Sequence, residues 1–132
     1  MKKFLPYLLV GIGGFLGANA RFIVSKLFAR GFETYFPFAT FFVNITGSFF
    51  LGLLGHILIY FKIFEPDYVR YLLGVGFLGA YTTFSTFEYE TSSLIDDGAV
   101  FLAILYIFLS VAVGFLAVRA GIYTGKFIEE LL

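Results

Sequence analysis

Apolar residues along this chain fall into four long blocks separated by short polar breaks. The blocks cover about residues 4–28, 37–61, 68–94 and 99–123. A helix that crosses a bilayer needs roughly 20 mostly apolar residues, so each block predicts one span. The breaks read as loops: Arg30-Gly31-Phe32-Glu33-Thr34, then Lys62 to Asp67 with Pro66, then Asp96-Asp97-Gly98. The last is short enough to make the third and fourth spans antiparallel neighbours. The pattern predicts an all-α integral membrane protein, with residues 1–132 forming a single four-helix domain. No linker, second domain or strong internal repeat shows in the sequence, and the first apolar block is too long for a cleaved signal peptide.

Composition supports this and removes other classes. Of 132 residues, 60% are hydrophobic and only 14% are charged, against about half and a quarter in soluble domains. A soluble chain this short could not hide that surplus in one core. Nine basic residues balance nine acidic ones, which leaves no basic field for nucleic acid. Cysteine is absent and His56 is the single histidine, so disulfides, thiol chemistry and a His-based metal cluster are excluded. No nucleophile–base pair stands out, and no enzyme is expected.

The basic residues flanking the spans give an orientation. Lys2, Lys3, Lys62, Arg70, Arg119 and Lys126 fall on the side of the N-terminus, and Arg21, Lys26 and Arg30 on the other. The excess favours a cytoplasmic N-terminus by a modest margin. Four spans also make a thin bundle, which can hardly enclose a private aqueous path and still cover it from lipid. A homo-oligomer is the better expectation on size alone.

Polar groups inside a span are expensive and usually face a partner or a pathway. In the second span Asn44, Ser48, Gly52 and Gly55 form one stripe. They serve either close helix packing with an interhelical amide bond or a donor aimed into a pore. In the third span, Gly74-Val75-Gly76-Phe77-Leu78-Gly79-Ala80-Tyr81-Thr82-Thr83-Phe84-Ser85-Thr86-Phe87 combines glycines with hydroxyl residues. Gly and β-branched residues are weak helix formers, so a break around Gly79 to Thr83 is expected, or failing that a kinked packing helix. A break at membrane depth is tolerated only against protein or a cavity, and it frees carbonyls that can coordinate a cation.

Beyond the break, Phe84, Phe87 and Glu90 recur at three-residue steps and share a face, with Ser85, Thr86 and Tyr89 beside them. Ring edges are electropositive, so two Phe edges favour an anion without a formal charge. With 20 phenylalanines in the chain, the pair gains weight only from the hydroxyl-rich frame around it. In the fourth span Tyr106, Ser110 and Gly114 align, and Ala103, Ser110, Ala117 and Gly121 make a small-residue face. Packing is the favoured reading there, with donors to a pathway as the alternative. Arg21 either snorkels or guards a vestibule. Glu90 reads as functional, Glu88 as facing elsewhere, and His56 as an interhelical or interfacial hydrogen-bonding residue.

These motifs resemble the small bacterial fluoride channels, the Fluc or CrcB family. Gly13-Gly14-Phe15-Leu16-Gly17-Ala18-Asn19-Ala20-Arg21 is similar to the family's first-span pattern. Thr40-Phe41-Phe42-Val43-Asn44, with Gly47-Ser48-Phe49 and Gly52, is similar to the second. Gly76 to Phe87, followed by Glu90, is similar to the third, and its Thr-Thr-Phe-Ser-Thr-Phe run is highly specific. One departure is Ala80-Tyr81, where Gly and a less bulky residue are common.

The resemblance implies a passive, fluoride-selective channel at the inner (plasma) membrane that lowers cytoplasmic fluoride. It implies an antiparallel, dual-topology homodimer with two pores and one central structural sodium ion. Carried over, Asn44 donates to fluoride and Phe84 and Phe87 offer ring edges. Ser85, Thr86, Tyr106 and Ser110 extend a polar track with Glu90 near it, and Arg21 attracts anions at the mouth. Backbone carbonyls of Gly79 and Thr82 hold the sodium. Two rivals stand beside this: a proton-coupled exporter, for which Glu90 is the sole intramembrane carboxylate candidate, and a structural subunit of a larger complex.

Overall fold

A computed structural model describes residues 3–31, 35–61 and 66–132. Met1 and Lys2, the loop residues 32–34 and the loop residues 62–65 lie outside the described residues. The described residues are mostly helical, with no strand among them. In order come α1 (Leu5–Gly31), α2 (Phe38–Phe61), α3 (Pro66–Val69), a π-helical stretch Arg70–Leu78, α4 (Gly79–Tyr81), α5 (Phe84–Asp96) and α6 (Val100–Leu131). Among the described residues three helices, α1, α2 and α6, are long and apolar enough to cross a membrane. The third apolar block is divided at Thr82–Thr83 into two shorter helical runs, so neither half reaches that length.

Two boundaries differ from the expected ones. Helix α1 continues to Gly31 instead of ending near Phe28, and α6 continues to Leu131, well past Tyr123. Hydropathy marks where a helix leaves hydrocarbon, not where it stops. The segment beyond Tyr123 is charged, yet Lys and Glu are good helix formers.

The helices meet where side chains are missing. Helix α1 packs on the π-helical stretch, and α2 packs along α6. At the first crossing, a Cβ on Gly13 or Gly17 would collide with the carbonyls of Leu72 or Phe77. At the second, a Cβ on Gly121 would collide with the Phe49 carbonyl, and one on Gly52 with the Val118 carbonyl. Without a hydrophobic drive between helices in lipid, such backbone approach is what holds them together. Gly121→Val is therefore expected to cost about 3 kcal/mol, read as loss of thermal stability in detergent. Gly55→Ala, where nothing lies within 4 Å of a Cβ, is the control. Equal stability of both variants would show that this crossing does not hold the pair.

The expected hairpin between the third and fourth blocks is present. Gly98 takes φ +78, Gly98 N donates to Ile95 O at 2.9 Å and Ala99 N to Leu94 O at 2.8 Å. This Schellman closure needs a residue at positive φ after the helix, which glycine supplies without strain. It folds α6 back on α5, and their contact buries Phe87, Leu94, Ala103 and Tyr106 as one cluster. Much of the remaining surface is large and apolar, including Phe15, Phe22, Phe101, Phe108 and Phe115. That surface suits lipid, not water.

Candidate functional site

The break in the third block is a built feature. Thr82 lies at φ −80, ψ 160 and Thr83 at φ −152, ψ 118, so both backbones are extended. The expected interval was Gly79 to Thr83; Gly79–Tyr81 remain helical and the interruption falls on the two threonines. Their hydroxyls explain why. Thr82 Oγ1 donates to the Leu78 carbonyl at 2.9 Å, closing the end of α4. Thr83 Oγ1 accepts from Thr86 N at 3.3 Å, capping the start of α5. Threonine at an N-cap satisfies an otherwise orphaned donor.

Asn44, on α2, splints this break from the side. Its Nδ2 donates to Thr83 O at 3.0 Å, and its Oδ1 accepts from Thr83 N at 2.8 Å. A continuous helix would have sent Thr83 N to the Gly79 carbonyl. Asn44 takes that donor, and Gly79 O loses its helical partner. An amide carries two N–H donors, so one remains for another acceptor.

The bulk of Tyr81 is absorbed locally. Its hydroxyl meets Thr46 Oγ1 at 3.0 Å and its ring stacks on Phe77 at 5.9 Å. Gly47 leaves the space beside both residues: a Cβ there would collide with the Thr82 methyl and come within 3.3 Å of the Tyr81 ring. The Ala80-Tyr81 departure therefore sits on the helical turn just before the break.

Two cavities meet at Thr83. One, of about 270 Å³, is bordered by Asn44, Ser48, Gly79, Thr82, Thr83 and Phe84. The other, of about 330 Å³, is bordered by Arg21, Ser25, Thr40, Val43, Thr83 and Thr86. Arg21 thus lines a polar cavity together with three threonines. The carbonyl-bearing residues Gly79 and Thr82 border the first cavity together. Oxygen donors of this kind fit a hard cation.

Next to the second cavity stands Glu90. Thr40 Oγ1 donates to its Oε1 at 2.8 Å and the Tyr106 hydroxyl to its Oε2 at 2.9 Å. Tyr106 is 0% exposed, with Phe87 against it at 5.0 Å, ring edge towards face. Both carboxylate oxygens are therefore held by hydroxyl donors from different helices, the arrangement a charge away from water requires.

The expected site residues fall into four groups. Asn44, Thr86, Glu90, Tyr106 and Arg21 come together around the break and its cavities. Phe84 and Phe87 have ring centroids 5.8 Å apart, but Phe87 is buried whereas Phe84 is 70% exposed. Ser85 is exposed, outside this cluster. Ser110 presents a different case: its buried Oγ has no hydrogen-bond partner among the described residues. Glu88 is exposed, on another face from Glu90.

Sequence reasoning missed Thr40 and Thr83. Both stood inside the quoted motifs, but neither was given a role. The usable signal was their polarity in an apolar run; their partners, 50 and 39 residues away, have no local trace. His56 does bond between helices, with Nε2 2.7 Å from Glu129 Oε2.

The sequence matches the family described as CrcB-like protein, Camphor Resistance (CrcB), over residues 8–122. Curated relatives cover nearly the whole chain. A protein of Chlorobium luteolum named fluoride-specific ion channel FluC is 43% identical over 122 residues, 92% of this chain and 93% of its own length. A protein of Hydrogenovibrio crunogenus with the same name is 47% identical, with 92% of each chain covered. One of Clostridium acetobutylicum, named fluoride-specific ion channel FluC 2, is 38% identical over 96% of this chain and 100% of its own.

Proposed function

This chain belongs to the CrcB-like protein family, and on that premise we propose that it is a fluoride-selective channel carrying fluoride passively out of the cell. It is a transporter and not an enzyme. The observation that carries the reading is the splinted break, where Thr83 borders a cavity on each side and Asn44 borders one of them. Fluoride is small and strongly hydrated, so donors must replace its water. A cation in the path would trap it, and conduction needs binding that is favourable but weak. Neutral groups suit that compromise: the second N–H of Asn44, the Ser110 hydroxyl and the ring edges of Phe84 and Phe87. Arg21 draws anions to the mouth, while Ser85, Thr86 and Tyr106 extend the track with Glu90 near it.

The divided run from Pro66 to Asp96 is the remaining span of a four-helix membrane domain, with spans about 4–28, 37–61, 68–94 and 99–123. Phe84 is open on the protomer and completes its pore in a homodimer of antiparallel subunits with two pores. The carbonyls of Gly79 and Thr82 from both subunits would hold a structural sodium ion. When bound, that ion supplies positive charge beside the break, biasing the field towards anions. The location is the inner (plasma) membrane, and the benefit is lower cytoplasmic fluoride.

Reconstitution in liposomes tests this directly. Fluoride efflux followed with an electrode is expected to be fast while chloride stays inside, with no need for a proton gradient. Flux that requires such a gradient would indicate a coupled carrier. No efflux from well-folded protein would overturn the channel.

A further inference from the structure

The outer face of α6 carries a second set of chemistry unconnected with the break. Arg119, Tyr123 and Lys126 share this face, and all three are exposed. The Arg119 guanidinium lies 5.0 Å from the Tyr123 ring centroid, and Lys126 Nζ lies 5.8 Å from it. Arg119 Nη2 also donates to the Tyr123 hydroxyl at 3.0 Å. With that oxygen accepting from Arg119, the phenolic proton is free to point outward. Two cations and an O–H donor therefore converge on one patch.

The height of this patch follows from helix geometry. The charged turn Asp96-Asp97-Gly98 belongs in the headgroup layer, which puts the start of α6 at the edge of the hydrocarbon core. At 1.5 Å per residue, Arg119 lies about 28 Å from Val100 and Lys126 about 39 Å. The hydrocarbon core is about 30 Å thick, and the headgroup layer adds roughly 5–7 Å on each side. The three side chains thus bracket the headgroup layer of the far leaflet. Below them on the same face lies an apolar groove of about 390 Å³, bordered by Ile104, Phe108, Val111 and Ala112. Phe115, also exposed, bridges the groove to Arg119. Glu129 faces α2 and is engaged by His56. Glu130 shares the face one turn beyond Lys126, on the water side of the patch, and Arg119 has no acidic residue within a turn along α6.

We infer that this face binds an anionic phospholipid, with the phosphate held by Arg119, Lys126 and the Tyr123 hydroxyl and an acyl chain lying in the groove. The inference depends only on α6 crossing the membrane and stands whatever ion the protein conducts. A zwitterionic lipid would bring its own cation to two fixed ones, so charge complementarity selects the anionic class. Cations at a membrane surface attract anionic lipid individually.

Native mass spectrometry of the full chain tests this, using micelles doped equally with phosphatidylglycerol and phosphatidylcholine of identical acyl chains. The wild-type protein is expected to retain phosphatidylglycerol preferentially. The preference should fall roughly five-fold for Arg119→Gln or Lys126→Gln alone and roughly 25-fold for the pair. The charge-preserving pair Arg119→Lys with Lys126→Arg should keep most of it. Each single variant can be read even if the double one misfolds. Equal retention of both lipids by the wild type would overturn the inference, as would undiminished preference in the Gln variants. Loss of oligomer mass in those variants would assign the face to a second copy instead. Displacement of the lipid by equimolar inorganic phosphate would remove the groove from the argument and overturn it.

Discussion

Asn44→Asp is expected to cut fluoride flux by roughly a hundred-fold or more while the protein still folds. Two effects act together. Aspartate keeps an oxygen for Thr83 N but has no N–H for Thr83 O, so one arm of the splint becomes a repulsion between oxygens. An unmade bond at such a site costs about 1–3 kcal/mol. The larger effect is the new charge. Two unit charges about 4 Å apart repel by about 4 kcal/mol at an effective dielectric constant near 20, close to a thousand-fold in rate. Asn44→Ala separates the contributions, since it removes both arms of the splint and adds no charge. Liposomal efflux should rank wild type above Asn44→Ala and Asn44→Ala above Asn44→Asp. Equal loss in both would assign Asn44 to the backbone alone. Normal flux in Asn44→Asp would remove the residue from the ion path.

Which parts of this site the sequence made legible follows from the range of each interaction. Weak helix formers concentrated over residues 74–87 announce an interruption, because propensity is a local property. The same residues do not fix its position. Thr82 and Thr83 become the break because Leu78, Thr86 and Asn44 supply the exchange of bonds, and Asn44 sits on another helix. The Phe84–Phe87–Glu90 face was visible as spacing, yet spacing gives no depth. Phe87 turns inward onto Tyr106 while Phe84 faces out. Likewise the stripe Asn44, Ser48, Gly52, Gly55 reads as one surface and serves several. Gly52 meets α6, Asn44 and Ser48 border a cavity, and Gly55 faces space in which a Cβ would meet nothing within 4 Å.

Length misled at the ends for a related reason. The sequence pattern reports which residues tolerate hydrocarbon, and α6 outlasts its apolar block because charged residues continue the helix. That overshoot carries Lys126 beyond Arg119 to headgroup height, so a basic excess counted as a topology signal also supplies local lipid chemistry. The family match accounts for the overall plan. It does not account for Tyr81, whose ring lies beside Gly47 and whose hydroxyl is held by Thr46.

Phe84→Ile is expected to lower fluoride flux about ten-fold or more without changing the stability of the protomer. Isoleucine remains a large apolar side chain and removes only the ring. At 70% exposure Phe84 contributes little to the protomer's own core, so its loss should leave the unfolding temperature of monomeric protein in place. The effect then belongs to the ring edge, which meets an anion with its electropositive rim. An interaction of about 1.5 kcal/mol, the upper range for aromatic pairs, corresponds to about ten-fold in rate. Phe87→Ile is the paired measurement. Phe87 packs on Tyr106, which itself holds Glu90, so that variant should lose stability as well as flux. A thermal shift in Phe87→Ile with none in Phe84→Ile, and flux lost in both, is the signature of two rings sharing one anion path from different depths. Flux retained in Phe84→Ile would mean that the exposed ring serves contact between subunits or with lipid, and that the path past the break runs through hydroxyl and amide donors alone.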